Sequence, residues 1–116
     1  MVKNKLIRLA ELIQEDFPEK IVAAFRSNEK QSLTKRLDVV NQAITFHRER
    51  AETLWLQAGR KRTPAEKRAT AQAELAAFVF AYLTGDGKEY ANSAIEALNA
   101  LGRQAEEDLV KSLCRT

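Results

Sequence analysis

At 116 residues the chain has the length of one ordinary domain, enough to bury a core without disulfides or a structural metal. Hydrophobic residues at 45% and charged residues at 30% exclude a disordered chain, and four Gly and two Pro among abundant Ala, Leu, Glu, Lys, Arg and Gln argue for an all-α fold. The formal net charge of +3 is uneven: residues 1–68 hold 15 basic against 9 acidic side chains, net +6, and residues 69–116 hold 4 against 7, net −3. Such a division suits head-to-tail contacts between molecules or neutralisation within the fold.

The apolar residues near Met1 are interrupted by Lys5, Arg8 and Glu11, so no leader is expected. A first helix is predicted over residues 5–15, with Leu6, Leu9, Ala10 and Ile13 on one face. Phe17-Pro18 ends it, because the residue before proline is pushed out of the helical region. Pro18 then suits the first turn of a short second helix carrying Ile21, Val22 and Phe25, with Ser27-Asn28 as its stop.

The third helix, residues 29–58, is the most patterned element. Leu33, Leu37, Val40, Ile44, His47, Ala51, Leu54 and Ala58 recur at alternating steps of four and three, a heptad seam. Val39, Ala43 and Phe46 widen it on one side, as a helix inside a bundle requires. Gly59 is placed to cap the helix in a left-handed conformation. Thr63-Pro64-Ala65-Glu66 starts the fourth helix with a capping box and a proline at its first position.

That fourth helix is predicted to reach residue 84. Its stretch 75–83 is apolar all round and marks it as the central helix. Nine residues span only about 14 Å as a helix, against roughly 30 Å of membrane hydrocarbon, so no membrane span is expected. Gly85-Asp86-Gly87-Lys88 is a turn, with Asp86 and Glu89 as a second capping box. A fifth helix carries Ala91, Ala94, Leu98, Leu101, Ala105 and Leu109 to about residue 113, with Gly102 inside it as a close-packing point or a mild kink. The expected architecture is an antiparallel bundle of four to five helices in one domain. Residues 1–28 form a short helix pair, and residues 29–116 form three longer helices.

Catalytic and metal-binding patterns are missing. Cys114 is the sole cysteine, which excludes an intrachain disulfide and any multi-cysteine zinc site. Arg115 beside it would favour its thiolate, although an inert exposed thiol is the simpler expectation. His47, the sole histidine, falls in the seam without a carboxylate at the spacing of di-iron helices, and reads as a hydrogen-bonded core residue. Glu106, Glu107 and Asp108 read as a solvated face. No cofactor, metal or catalytic residue is assigned, and a non-enzymatic, cytoplasmic protein is expected.

Two clusters remain as candidate binding sites. On the third helix the outward rows Thr34, Asn41, Arg48, Trp55 and Lys35, Gln42, Glu49, Leu56 are polar until their last members. Trp55 and Leu56 are therefore either covered by the N-terminal helices, the favoured reading because small domains wrap their longest helix, or exposed as a partner-binding patch. Arg60, Lys61 and Arg62 in the following turn, with Lys67 and Arg68 in the next helix and Arg48 and Arg50 from the third, form a basic tip. That tip is a candidate anion or nucleic-acid site at a helix N-terminus. The sequence favours a protein-interaction or oligomerisation module, accessory or adaptor in type, whose partner is a protein or itself. The alternative is a nucleic-acid-binding accessory protein using the basic tip. No helix-turn-helix signature supports the latter.

Overall fold

The apolar stretch of the fourth predicted helix organises everything else. In the computed structural model, which describes residues 2–18, 20–26 and 32–115, this helix (α4, Pro64–Thr84) packs extensively against both the helix before it and the helix after it. Ala71, Leu75, Ala76, Phe78 and Val79 are fully buried. The alanines let neighbouring backbones come close, while each fully buried Leu or Phe contributes about 1.5–3 kcal/mol. The remaining elements are α1 (Val2–Gln14), α2 (Ile21–Arg26), α3 (Ser32–Gln57), α5 (Gly87–Leu101) and α6 (Gln104–Cys114). The molecule is 85% helical, an all-α bundle with no strand among the described residues. No described helix is long and apolar enough to cross a membrane.

The third and fourth helices form the expected hairpin. Gly59 and Arg60 both adopt left-handed backbone (φ 67° and 66°), and the Arg60 N–H donates to the Trp55 carbonyl at 2.8 Å, closing α3. Thr63 caps α4, its hydroxyl accepting from the Glu66 N–H at 3.2 Å, with Pro64 at the first position. The heptad seam of α3 is buried through Val40, Ile44 and His47, with Ala43 beside them. Leu33, by contrast, is 45% exposed. The cause is length: α3 has 26 residues and α4 has 21, and they are joined at the opposite end, so α4 stops short of Leu33.

Three expectations need correction. The last helix is not continuous: Gly102 takes φ 77°, its N–H donates to the Asn99 carbonyl at 3.0 Å, and the Arg103 N–H to the Leu98 carbonyl at 2.9 Å. That pair of bonds ends α5, and α6 folds back along α5 and α1, giving six helices among the described residues. A Cβ built at Gly102 meets nothing within 4 Å, so the glycine serves its left-handed backbone and not a close approach. Asp86 makes no side-chain cap bond. Its backbone (φ −112°, ψ 23°) is not the extended conformation that aims a cap at the first turn. Pro18 lies in the linker ahead of α2, not in its first turn. The expected stop at Ser27-Asn28 and the start of the third helix at residue 29 lie outside the described residues.

The N-terminal pair docks by apolar contact and by an unusual seal. Leu6, Leu9, Ala10, Leu12 and Ile13 of α1 are buried towards α4 and α6, and α2 packs on α1 and α3. A helix leaves its last carbonyls unpaired. Here two buried side chains from other helices pair with them: His47 Nε2–H donates to Ile13 O at 2.8 Å, and Gln72 Nε2 to Leu12 O at 3.1 Å and Glu15 O at 2.6 Å.

Candidate functional site

Helix α3 carries Trp55 and Leu56 to the end of the hairpin, beyond the reach of the N-terminal pair. Trp55 is 38% and Leu56 is 53% exposed, which overturns the reading that α1 and α2 cover them. The reason is that α1 packs on α2, α4 and α6, while α2 meets α3 near Arg36, which donates to the Ala24 and Phe25 carbonyls towards the other end of the helix from Trp55. Among the described residues the other large exposed apolar side chains are Val2, Leu33 and Tyr90, each isolated in sequence. Only at the tip do two stand side by side. Trp55 also borders a shallow groove with Ala51, Glu52, Arg62 and Glu66.

The left-handed turn at Gly59 and Arg60 folds the loop back over this patch. It sets the Arg60 guanidinium 5.8 Å from the centre of the Trp55 ring, within cation–π range. Arg62 Nε lies 2.7 Å from Glu66 Oε1, and the Thr70 hydroxyl donates to the other carboxylate oxygen. Burial opposes ionisation of Glu66, but the hydrogen bonds from Arg62 and Thr70 outweigh it and hold the carboxyl below its ordinary range. One half of the expected capping box is thus built differently. Thr63 caps the Glu66 N–H, while the Glu66 side chain is held by Arg62 and Thr70.

The five basic residues of the tip do not converge. Arg68 points to the end of α1, where its guanidinium meets Glu15 at 2.6 Å and Asp16 at 2.8 Å, and Arg50 approaches the same Asp16 at 3.5 Å. Consecutive helical residues diverge by about 100°, so Lys67 and Arg68, adjacent in sequence, face different neighbours. Arg60, Lys61 and Arg62 are exposed and Lys67 is half-buried. Among the described residues Lys61 and Lys67 make no ion pair.

Sequence reasoning missed the polar junction under α1. Gln72 is completely buried. A lone Gln within the Ala-rich helix was a usable signal, since such an amide must find partners. His47 is in the core as expected, in a cluster with the rings of Phe17 (5.9 Å) and Phe46 (5.3 Å). Burial holds its pKa below the ordinary value. Among the described residues no group of His, Cys, Asp and Glu could hold a metal. Glu106 and Glu107 are not solvated: both are buried, paired with Arg103 at 2.6 Å and Lys111 at 3.7 Å, whereas Asp108 is exposed. Cys114 is half-buried, and burial pushes its thiol up, opposite to the activation that Arg115 suggested. The chain matches no known family, curated protein or solved structure.

Proposed function

We propose that the protein is a non-enzymatic interaction module, an accessory or adaptor-type cytoplasmic bundle that works by docking a protein surface on the tip of the α3–α4 hairpin. The observation that carries this reading is the adjacency of Trp55 and Leu56, two large apolar side chains left exposed on a capped helical hairpin. Aromatic residues of this kind dominate binding energy where a partner excludes water from them. The surrounding Glu52, Arg60 and Arg62 supply a polar rim. Arg62 and Arg68 are already paired with carboxylates of the same chain, which leaves the basic tip less to offer phosphate than its sequence suggests.

The test is Trp55→Ala. It is expected to weaken association by about thirtyfold, the equivalent of roughly 2 kcal/mol, while helix content by circular dichroism and cooperative melting stay close to those of the unmodified protein. Association that survives the substitution unchanged removes the patch from the interface.

A further inference from the structure

Helices α3 and α5 both pack along α4 but not on one another, and the sector between them is a groove of about 280 Å³. Ile44, Ala77 and Ala81 line it and are buried, so they form its floor. The two alanines stand about one turn apart on α4 and carry no bulk to fill the space above them. Charged side chains border this floor. Arg48 comes from α3, Asp86 from the turn before α5 and Glu89 from its first turn. All three are exposed, and among the described residues none of them makes an ion pair. Asp86 and Glu89 have the spacing of a capping box, yet the Asp86 side chain makes no cap bond and its N–H donates to the Ala81 carbonyl at 2.7 Å. The helix that follows them therefore leaves both carboxylates unused. Lys88, between them in sequence, borders a wider groove with Cys114 and pairs with neither.

We infer that this groove binds a short zwitterion, with its carboxylate on Arg48, its amine on Asp86 and Glu89, and an apolar body over Ile44, Ala77 and Ala81. The site is separate from the Trp55–Leu56 patch, and neither reading depends on the other. A lone carboxylate entering the groove meets Arg48 but also two like charges. A lone amine meets the two carboxylates but also Arg48. A molecule that carries both groups satisfies both sides, and its second contact forms at the high effective concentration set by the first. The volume suits one small molecule. Arg48 stands too far from either carboxylate to pair with it, so the charges of the ligand must lie several atoms apart. A dipeptide or an ω-amino acid has that separation, and a free α-amino acid does not. The protein's charges are exposed, so binding is weak and declines with added salt.

NMR titration of the isotope-labelled full chain at low salt tests this, with ε-aminohexanoate and alanyl-leucine as probes. Saturable shifts are expected at Arg48, Glu89 and Tyr90, which lines the same groove. Shifts with alanyl-leucine alone name a peptide as the ligand class, and shifts with ε-aminohexanoate alone name an ω-amino acid. Hexanoate and hexylamine, each with a single charge, are expected to bind about tenfold more weakly, and so is leucine, whose charges are adjacent. Arg48→Ala is expected to weaken the zwitterions about tenfold while binding hexylamine more tightly than the unmodified protein does. Asp86→Asn with Glu89→Gln is expected to do the same for the zwitterions and to gain affinity for hexanoate. The replaced side chains are exposed, so melts should match that of the unmodified protein. Should Arg48→Ala melt early, Arg48→Gln carries the same test. If neither zwitterion shifts the groove, the proposal is overturned. It is overturned equally if hexanoate or hexylamine binds as tightly as ε-aminohexanoate, or if zwitterion binding is indifferent to both variants. Each of these results leaves the Trp55→Ala test of the tip standing by itself.

Discussion

Two regions meet α3 with the same kinds of side chain and use them in opposite ways. At the junction under α1, aromatic rings (Phe17, Phe46), arginines (Arg50, Arg68) and a carboxylate (Asp16) surround His47 and Gln72, whose N–H groups reach the last carbonyls of α1. At the hairpin tip an aromatic ring, arginines and carboxylates also gather, but the apolar groups are left in contact with water. At the junction every contact is made by another part of the same chain. At the tip the helix ends, and no other described segment follows to cover it. Function is therefore sought at the tip, and stability at the junction.

That contrast predicts an ordering of stabilities. Gln72→Ala removes the donor to Leu12 O and Glu15 O and leaves space in a closed site, and it is expected to cost about 2–4 kcal/mol. Trp55→Ala, despite deleting a far larger side chain, is expected to cost about 1 kcal/mol, because the ring is only partly withdrawn from water. Urea melts of the two variants measure this directly. A Trp55→Ala protein less stable than Gln72→Ala would show that the tip is core and the contrast false.

The junction also responds to acid. His47 is buried, and burial lowers its pKa below 6.5; the Ile13 carbonyl opposes this, Arg50 and Arg68 reinforce it, and Asp16 opposes it. Among the described residues Nδ1 has no hydrogen-bond partner, so a second proton on the ring would be buried without an acceptor. Because the unfolded chain binds the proton more tightly, this contribution is fully present above about pH 6.5 and is lost as pH falls through the folded value. Asp16, held below 3.8 chiefly by its hydrogen bond from Arg68, loses its contribution only at lower pH. Melting temperatures are therefore expected to decline first between neutral and mildly acid pH. His47→Gln, which keeps an N–H donor, is expected to flatten that first decline and leave the second. An unaltered profile would place the titration on another group.

Most of what could be read from the sequence was decided by local chemistry, although the local signals at Pro18 and Asp86 misled. Gly59, the Thr63-Pro64 start and the apolar stretch of α4 each act within a few residues, and each stands where it was expected. Gly102 was misread because apolar residues continue in helical register on both sides, Leu98 and Leu101 before it and Leu109 after, and the pattern hides a break that only its backbone angle reveals. Glu106 and Glu107 looked solvated as a run of acids, yet Arg103 and Lys111 stood at helical spacing to pair with them while burying them. The tip shows the limit most clearly. The break in the polar rows at Trp55 and Leu56 was visible, but their exposure depends on where α1 and α2 dock, a contact between residues far apart in sequence. The basic cluster is divided for the same reason, because Asp16 and Glu15 reach Arg68 from the end of α1.

The smallest expected effect separates the two contributions of Arg60, its charge over Trp55 and its left-handed backbone. A side chain at φ 66° costs roughly 1–2 kcal/mol relative to glycine, and a cation over an exposed ring returns about 0.5–1 kcal/mol. Arg60→Ala retains the backbone cost and loses the ring contact, so stability should fall by about 0.5 kcal/mol. Arg60→Gly loses the same contact but relieves the backbone, so it should equal or slightly exceed the unmodified protein. Denaturant melts resolve the sign of that difference, and Trp55 fluorescence should change alike in both variants because both uncover the same ring face. If Arg60→Gly proves as unstable as Arg60→Ala, the turn is not held in the left-handed region by its place after Gly59. The guanidinium would then not be fixed over Trp55, and the basic end of the tip would have no defined position against a partner.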